Sequence, residues 1–316
     1  MATDRKGRRA DRRSFRPNLG EQLEMRLVLS RPLGPNTVAV RLHPSWGPAW
    51  VTGHSGQVGV QVARGGRSVN LTTADGQLYR VDATNEAIVR AIPTKDGRVD
   101  LVITGSRFDS EVLINRLPHP YFATMAHQFP NSSTTANNVL RVRNITVRTG
   151  AVKGILGYGT VELSGKITVR DPKNASLTIP VDRIAVYSMR TGARIEVAGT
   201  VNTLDVKDSV NLTGANDGIY VNQDLNWLNI GGQLNLANGA AVVVGRDLGA
   251  VAQPDKGTAK GGQGGEVFGN LNLSNGSQFT VGRNFTTAVV VQGNFIRNGT
   301  TIVVGPFAFS TNVFAP

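Results

Sequence analysis

The chain has 316 residues, of which 18% are charged, 37 are glycine and none is cysteine. Without cysteine, disulfides, thiolate metal sites and a cysteine nucleophile are excluded, and no apolar run approaches the roughly 18 residues of a membrane helix. Of the net charge of +12, +5 lies in residues 1–16, with seven basic and two acidic side chains, and the rest is spread over 300 residues. The aromatic content is only 6%, so we expect no specific nucleic-acid binding.

The basic N-terminal arm is followed by a short half-apolar segment, EQLEMRLVLS, at residues 21–30. Its longest apolar run is three residues, whereas a secretory signal needs about 7 to 15. The leucines of this region also have the spacing of a short amphipathic helix. Two interpretations therefore stay open, a targeting segment and a plain N-terminal helix.

The segment resembles the LExRxLLS segment that opens many predicted exported proteins of planctomycete bacteria, which also follows an arginine-rich arm. The matching positions are Leu23, Glu24, Arg26, Leu29 and Ser30. Gly20 and Val28 depart from that pattern. The resemblance implies export and assigns no activity, so residues 1–30 are interpreted as a basic arm and targeting segment.

Residues 31–69 are predicted to form a strand-rich N-terminal β cap, which a stack of strands needs to close its open edge. A small separate β-domain is the alternative. Two Thr-x-Asp-Gly stretches, at 73–76 and 94–97, are 21 residues apart, which predicts that repeated coils begin near residue 70. The repeat region is then 70–316, with a loop at 118–138, where alternation is lacking.

Five repeats occupy residues 190–306, and each has a turn signal before an alternating apolar stretch. One valine recurs at intervals of 24, 23, 37 and 23 residues, with an apolar residue two positions before it. Period-2 alternation predicts strands, and a fixed interval predicts stacked coils. The predicted inward columns are Ile195, Val197, Ile219, Val221, Val242, Val244, Phe279, Val281, Ile302 and Val304.

The predicted fold class is all-β, a parallel β-helix or solenoid with coils of about 23 residues, and we favour the right-handed form. The 37-residue interval fits, because the Gly- and Lys-rich residues 249–266 are typical of a loop inserted at a coil corner. Asn-Gly pairs at 238–239, 275–276 and 298–299 suit corners, since both residues tolerate positive φ. In an antiparallel protein the same pairs would predict hairpins.

The coil sequence GNLNLSNGSQFTVGRNFTT, at residues 269–287, resembles the coils of haemagglutinin-type and autotransporter-passenger adhesins. That resemblance implies a secreted or cell-surface location, an extended structural scaffold and a role in adhesion. The partners it implies are carbohydrate or other cell-surface and matrix components.

Few residues suggest chemistry. The four histidines, His43, His54, His119 and His127, lack metal-binding spacing, so no metal or cofactor is predicted. Asp224 and Asp247 each follow a repeated valine by three positions, and stacking would place them about 4.8 Å apart. Carboxylate pairs can catalyse glycoside cleavage, but aspartate is also an ordinary turn residue that bonds its own backbone.

Three functions remain from the sequence. The favoured one is a non-enzymatic exported or cell-surface β-solenoid, adhesin-like scaffold. The first alternative is a β-helix polysaccharide lyase or glycoside hydrolase that uses the acidic face at Asp224 and Asp247. The second alternative is binding of a polyanion by the basic N-terminal arm.

Overall fold

The computed structural model describes residues 58–62, 65–73, 77–117, 139–171, 173–174, 178–249, 263–267, 269–283, 288–291, 295–298, 301–304 and 314–315. Several predictions lie outside these residues. They concern the targeting segment with Leu23, Glu24, Arg26, Leu29 and Ser30, the four histidines, most of the predicted cap and the predicted loop at 118–138.

Strands are the only regular secondary structure among the described residues. The first six are β1 (Gly59–Val62), β2 (Ser68–Thr72), β3 (Leu78–Ala83), β4 (Ile88–Pro93), β5 (Val99–Thr104) and β6 (Glu111–Arg116). The next ten are β7 (Leu140–Val147), β8 (Gly154–Leu156), β9 (Val161–Leu163), β10 (Lys166–Val169), β11 (Val181–Val186), β12 (Ser188–Met189), β13 (Arg194–Val197), β14 (Val201–Val206), β15 (Val210–Leu212) and β16 (Gly218–Val221). The last ten are β17 (Leu228–Ile230), β18 (Leu234–Leu236), β19 (Ala241–Val244), β20 (Gln263–Val267), β21 (Leu271–Ser274), β22 (Gln278–Val281), β23 (Ala288–Val291), β24 (Phe295–Asn298), β25 (Thr301–Val304) and β26 (Phe314–Ala315). In this part of the chain, no helix has the length and apolarity needed to cross a membrane.

The N-terminal strands pair antiparallel. Strands β1, β2, β3 and β6 are neighbours in one sheet, and β4 pairs with β5 in another. The turn between β4 and β5 contains the second Thr-x-Asp-Gly stretch, where Thr94 N–H donates to the Arg98 carbonyl at 2.9 Å and Gly97 has a φ of 76°. Strands β4 and β5 therefore pair directly with each other across a tight turn and form a hairpin. This antiparallel pairing differs from the predicted start of repeated coils near residue 70.

Parallel pairing begins when β5 pairs with β7 and β6 pairs with β8. From β8 onwards, each strand pairs in parallel with the strand three places further along the chain, as far as β26. We call this region, β8 to β26, the parallel stack. Its strands belong to a smaller sheet of 11 strands and a larger sheet of 15. The predictions of an all-β fold and of parallel strand pairing are confirmed.

The repeated valines lie in register. Val197 pairs with Val221, which pairs with Val244, and the series continues through Val281 to Val304. The column two positions earlier runs from Ile195 through Ile219, Val242 and Phe279 to Ile302. The members up to Val281 are at most 2% exposed. Burial of each such side chain contributes roughly 1.5–3 kcal/mol relative to exposure, which makes these columns the interior of the stack.

The 37-residue interval keeps this register on both sides, because Leu234 pairs with Leu271 and Leu236 with Leu273. The prediction that all of 249–266 is a loop is wrong at its end, since β20 begins at Gln263 and pairs with β17 and β23. The sequence GGQGGEV has no apolar alternation to reveal this strand. It is formed by backbone pairing, and Val267 buries its side chain completely.

Asn-Gly pairs mark corners, as predicted. Asn238 and Gly239 have φ values of 53° and 84°, and Asn275 and Gly276 have 51° and 74°. The strands on either side of each pair, β18 with β19 and β21 with β22, do not pair with each other. Residue 299 of the third Asn-Gly pair lies outside the described residues.

Candidate functional site

The acidic pair lies at one corner of the parallel stack. Asp224 and Asp247 follow the stacked residues Val221 and Val244 by three positions, and the next residues, Leu225 and Leu248, form a parallel bridge. The Asp247 N–H donates to Asp224 Oδ1 at 3.1 Å. The structure therefore brings the two aspartates onto neighbouring strand repeats, where one carboxylate bonds the backbone of the other residue.

Both carboxylates of this pair form ion pairs with arginines. Arg283 Nε donates to Asp247 Oδ1 at 2.9 Å and its Nη2 lies 2.5 Å from Oδ2, while Arg246 Nε lies 3.5 Å from Asp224 Oδ1. The hydrogen bond to Asp247 raises the pKa of the Arg283 guanidinium. A glycosidase needs one carboxyl that keeps its proton and another that is open to substrate. Arg283 binds both carboxylate oxygens of Asp247, so this arrangement suits a corner that links repeats.

A second acidic group, absent from the sequence analysis, lies on the smaller sheet. The Asp205 side chain is only 1% exposed, and Arg183 Nε donates to its Oδ2 at 2.7 Å. Asn229, its partner on the next strand, donates from Nδ2 to Oδ1 at 3.0 Å. The guanidinium and the amide bind both oxygens of this buried carboxylate, so the group has a structural role. The signal in the sequence is a polar residue repeated at the centre of apolar triplets, LDV and LNI.

The triplets VNL, LNL and LNL place three asparagines in a row across the larger sheet. We call this row the asparagine ladder. Asn235 Nδ2 donates to Asn211 Oδ1 at 2.5 Å, and Asn272 donates to Asn235 in the same way. These residues are paired across β15, β18 and β21. The asparagine ladder holds neighbouring strands in register through amide groups, and it presents no free nucleophile or acid.

The described residues also contain a shallow depression of about 370 Å³, lined by Ile92, Pro93, Thr94, Lys95, Asp96 and Arg143. Its carboxyl group, Asp96, receives a hydrogen bond from Arg98 Nε at 2.7 Å and another from Thr94. These bonds hold the pKa of Asp96 well below its usual range. A carboxyl group that stays ionised in this way cannot act as a general acid near neutral pH.

Metal chemistry has no candidate among the described residues, since no group of three or more His, Asp or Glu side chains there is arranged to hold an ion. The described surface carries many charged and polar side chains along the strands of two large sheets. Comparison with protein-family models, with curated proteins and with solved structures finds no match to this chain.

Proposed function

We propose that this chain is a non-enzymatic, exported β-solenoid that acts as an adhesin-like scaffold at the cell surface or outside the cell. In this proposal three successive strands and their corners make one coil of about 23 residues, and insertions lengthen single coils. The observation that carries it is the unbroken parallel pairing of each strand from β8 onwards with the strand three places later, over a continuous core of buried apolar side chains. Such a stack presents long, regular outer faces, which suit repeated contacts with an extended partner.

The proposed coils are right-handed. A connection between two parallel strands of one sheet is right-handed in about 98% of cases, because of the twist of the strands. Strands β10, β13, β16, β19 and β22 are successive parallel neighbours in one sheet, joined by connections that pass through the other strands of each repeat. That rule therefore applies to every coil of the stack.

The absence of catalysis is supported by the state of the acidic side chains. Asp247 and Asp224 are bound by Arg283 and Arg246, and Asp205 is bound by Arg183. A catalytic carboxyl group must reach its substrate and exchange a proton with it. These groups are already committed to neighbouring strands, so they support a structural role for the polar corners.

A polysaccharide panel tests the enzymatic alternative. We expect neither the wild-type protein nor Asp247→Asn to release reducing ends or unsaturated products from any polysaccharide of the panel. Asp109→Asn, at an exposed position, is the matched control for a lost carboxylate. Activity in the wild type and in Asp109→Asn that disappears in Asp247→Asn would make the acidic pair catalytic.

Location is supported by the LExRxLLS-like segment and by the adhesin-like coils. The test is immunolabelling of intact and permeabilised cells of the native organism, combined with fractionation. We expect label on intact cells and protein in the surface or culture fraction. Label confined to permeabilised cells would overturn the exported role.

A further inference from the structure

We propose that one outer face of the larger sheet binds an anionic polysaccharide, one that carries sulfate or carboxylate groups, through Arg90, Arg148, Lys166 and Arg170. We call these four residues the basic face. This inference rests on the proposed function in one respect, since export brings the face to polysaccharides. The site itself lies on the folded stack and is separate from the basic arm at residues 1–16.

Strand pairing places Arg90 and Lys166 on the same side of the sheet. Strands β4, β5, β7 and β10 are successive neighbours. Across them, Arg90 pairs with Val102, Val102 with Thr146, and Thr146 with Thr168. Side chains two positions apart on a strand point to the same face, so Lys166 lies on the face of Thr168. Arg148 and Arg170 are the first residues after β7 and β10, and all four cations are exposed.

Arg148 and Arg170 lie at neighbouring strand ends. Each directly follows a member of the pair Val147 and Val169 on adjacent parallel strands. Both side chains are exposed, so they add positive charge at the same end of these two strands.

The basic face also lacks compensating charge. Within the described part of the chain, none of its four cations forms an ion pair. Two carboxylates lie on the same rows of paired residues across the strands. Both form ion pairs, Asp100 with Arg143 and Glu196 with Arg194. The remaining neighbour, Asp171, accepts the backbone N–H of Lys173 at 2.7 Å. The face is therefore a patch of net positive charge open to an external anion.

Hydroxyl groups stand among these cations. Thr104, Thr146 and Thr168 are half-buried on the same rows, and each hydroxyl both donates and accepts hydrogen bonds. A guanidinium binds carboxylate or sulfate through two parallel N–H groups. Cations interspersed with hydroxyls on a flat sheet match a linear polymer of sugar hydroxyls and acidic groups.

Nucleic acid fits this face less well. Single-stranded nucleic acid is held by aromatic platforms on which bases stack, and the residues that pair in a row with Arg90 on the next three strands are valine and threonine, which are not aromatic. The aromatic residue further along the same row, Tyr220, is covered by the Arg194 guanidinium at 3.8 Å from the ring centre. A face of this sheet also offers no helix that could enter a major groove.

The test uses the full-length protein and two triple variants with equal loss of charge. The face variant is Arg148→Gln, Lys166→Gln and Arg170→Gln. The control is Arg67→Gln, Arg116→Gln and Lys207→Gln, exposed positions on or next to strands of the smaller sheet. The Kd for heparin, for polygalacturonate and for duplex DNA is measured at several salt concentrations, and the basic arm is present in every protein.

We expect the face variant to bind at least one of the two polysaccharides about tenfold more weakly, with its salt-dependence slope reduced by about 2. The control should stay within about twofold of the wild type. Equal losses in both variants, or no loss in either, would overturn the proposal. So would duplex DNA that binds as tightly as the polysaccharide and loses affinity in the same variant.

Thermal unfolding separates binding from a structural role. The substituted residues form no ion pair within the described part of the chain, so the face variant should keep the Tm of the wild type, whereas structural arginines would lower it on removal. The two proposals also fail separately. Binding by a protein confined to the cytoplasm would overturn only the exported role, and a surface protein without face-dependent binding would overturn only this site.

Discussion

Asp217 illustrates at the scale of one residue how neighbouring repeats are tied together. Its Oδ2 accepts three backbone N–H groups, from Gly192 and Gly214 at 2.9 Å and from Thr213 at 3.1 Å. Gly192 belongs to the preceding repeat, so one carboxylate holds two corners at a fixed spacing. Because the residue is only 5% exposed, these N–H groups would lose their acceptor without gaining full access to water.

We predict that Asp217→Ala lowers the free energy of unfolding by about 3 kcal/mol, since hydrogen bonds to a buried charged group contribute more than neutral ones. Asp208→Ala is the control, because Asp208 is only partly buried and lies just after β14; its effect should stay within about 0.5 kcal/mol. Urea unfolding followed by circular dichroism measures both. Equal effects of the two substitutions would contradict the role assigned to this corner.

At the scale of the element, close contact between neighbouring corners depends on glycine. A Cβ placed on Gly245 would stand 2.1 Å from the Asn222 carbonyl oxygen, and one on Gly282 would stand 2.2 Å from that of Gly245. Both glycines directly follow a stacked valine, Val244 or Val281. No side chain fits at these positions unless the strands move apart, which would break parallel hydrogen bonds on both sides.

Gly245→Ala is therefore predicted to destabilise the protein by more than about 2 kcal/mol, through overpacking against the backbone. The matched control is Gly159→Ala, since the nearest atom to a Cβ there is Lys207 Nζ at 4.0 Å. That change should be neutral or slightly stabilising, because alanine restricts the unfolded chain. Differential scanning calorimetry compares the two, and similar Tm values would refute the close packing at Gly245.

The valine columns were predictable, because each strand that contributes to them has an apolar residue at every second position. Strand β20 was not predictable, since its sequence QGGEV shows no apolar alternation. The N-terminal hairpins were missed for another reason. A Thr-x-Asp-Gly turn fits a hairpin and a corner equally well, and only the pairing partner distinguishes them.

The candidate site was predictable in position but not in chemistry. The spacing of Asp224 and Asp247 after Val221 and Val244 correctly placed them on neighbouring repeats. Their partners were not predictable, because Arg283 lies 36 residues from Asp247 in sequence, across the 37-residue interval of the repeat. The basic face was missed because its four cations, on or directly after three strands, are spread over residues 90–170 of the chain and follow no repeat.

For the whole molecule, antiparallel strands come first in the chain, and both sheets continue from them into the parallel stack. Strands β1 to β3 and the β4–β5 hairpin precede the first parallel pairs. On β4, Pro93 lacks an N–H group and ends the strand, and the N–H of Val89 is bound by the Gly66 carbonyl at 2.8 Å. These features leave β4 few groups with which to pair another chain, as edge strands of natural proteins require.

The central claim, that successive repeats stack in parallel and in one register, is tested most directly by an engineered disulfide. The chain has no cysteine, so Val243→Cys with Thr280→Cys introduces a single pair, on adjacent strands across the insertion. Their Cα atoms are about 4.8 Å apart, within the range that a disulfide accepts. Val243→Cys with Gln278→Cys, displaced by two residues, is the control, at a diagonal distance of about 7 to 8 Å.

Mass spectrometry after mild oxidation gives the answer. The stacked arrangement predicts nearly complete intramolecular disulfide formation between positions 243 and 280, and mostly free thiols in the displaced pair. Free thiols in the first pair, or equal cross-linking of both pairs, would contradict the stacked register.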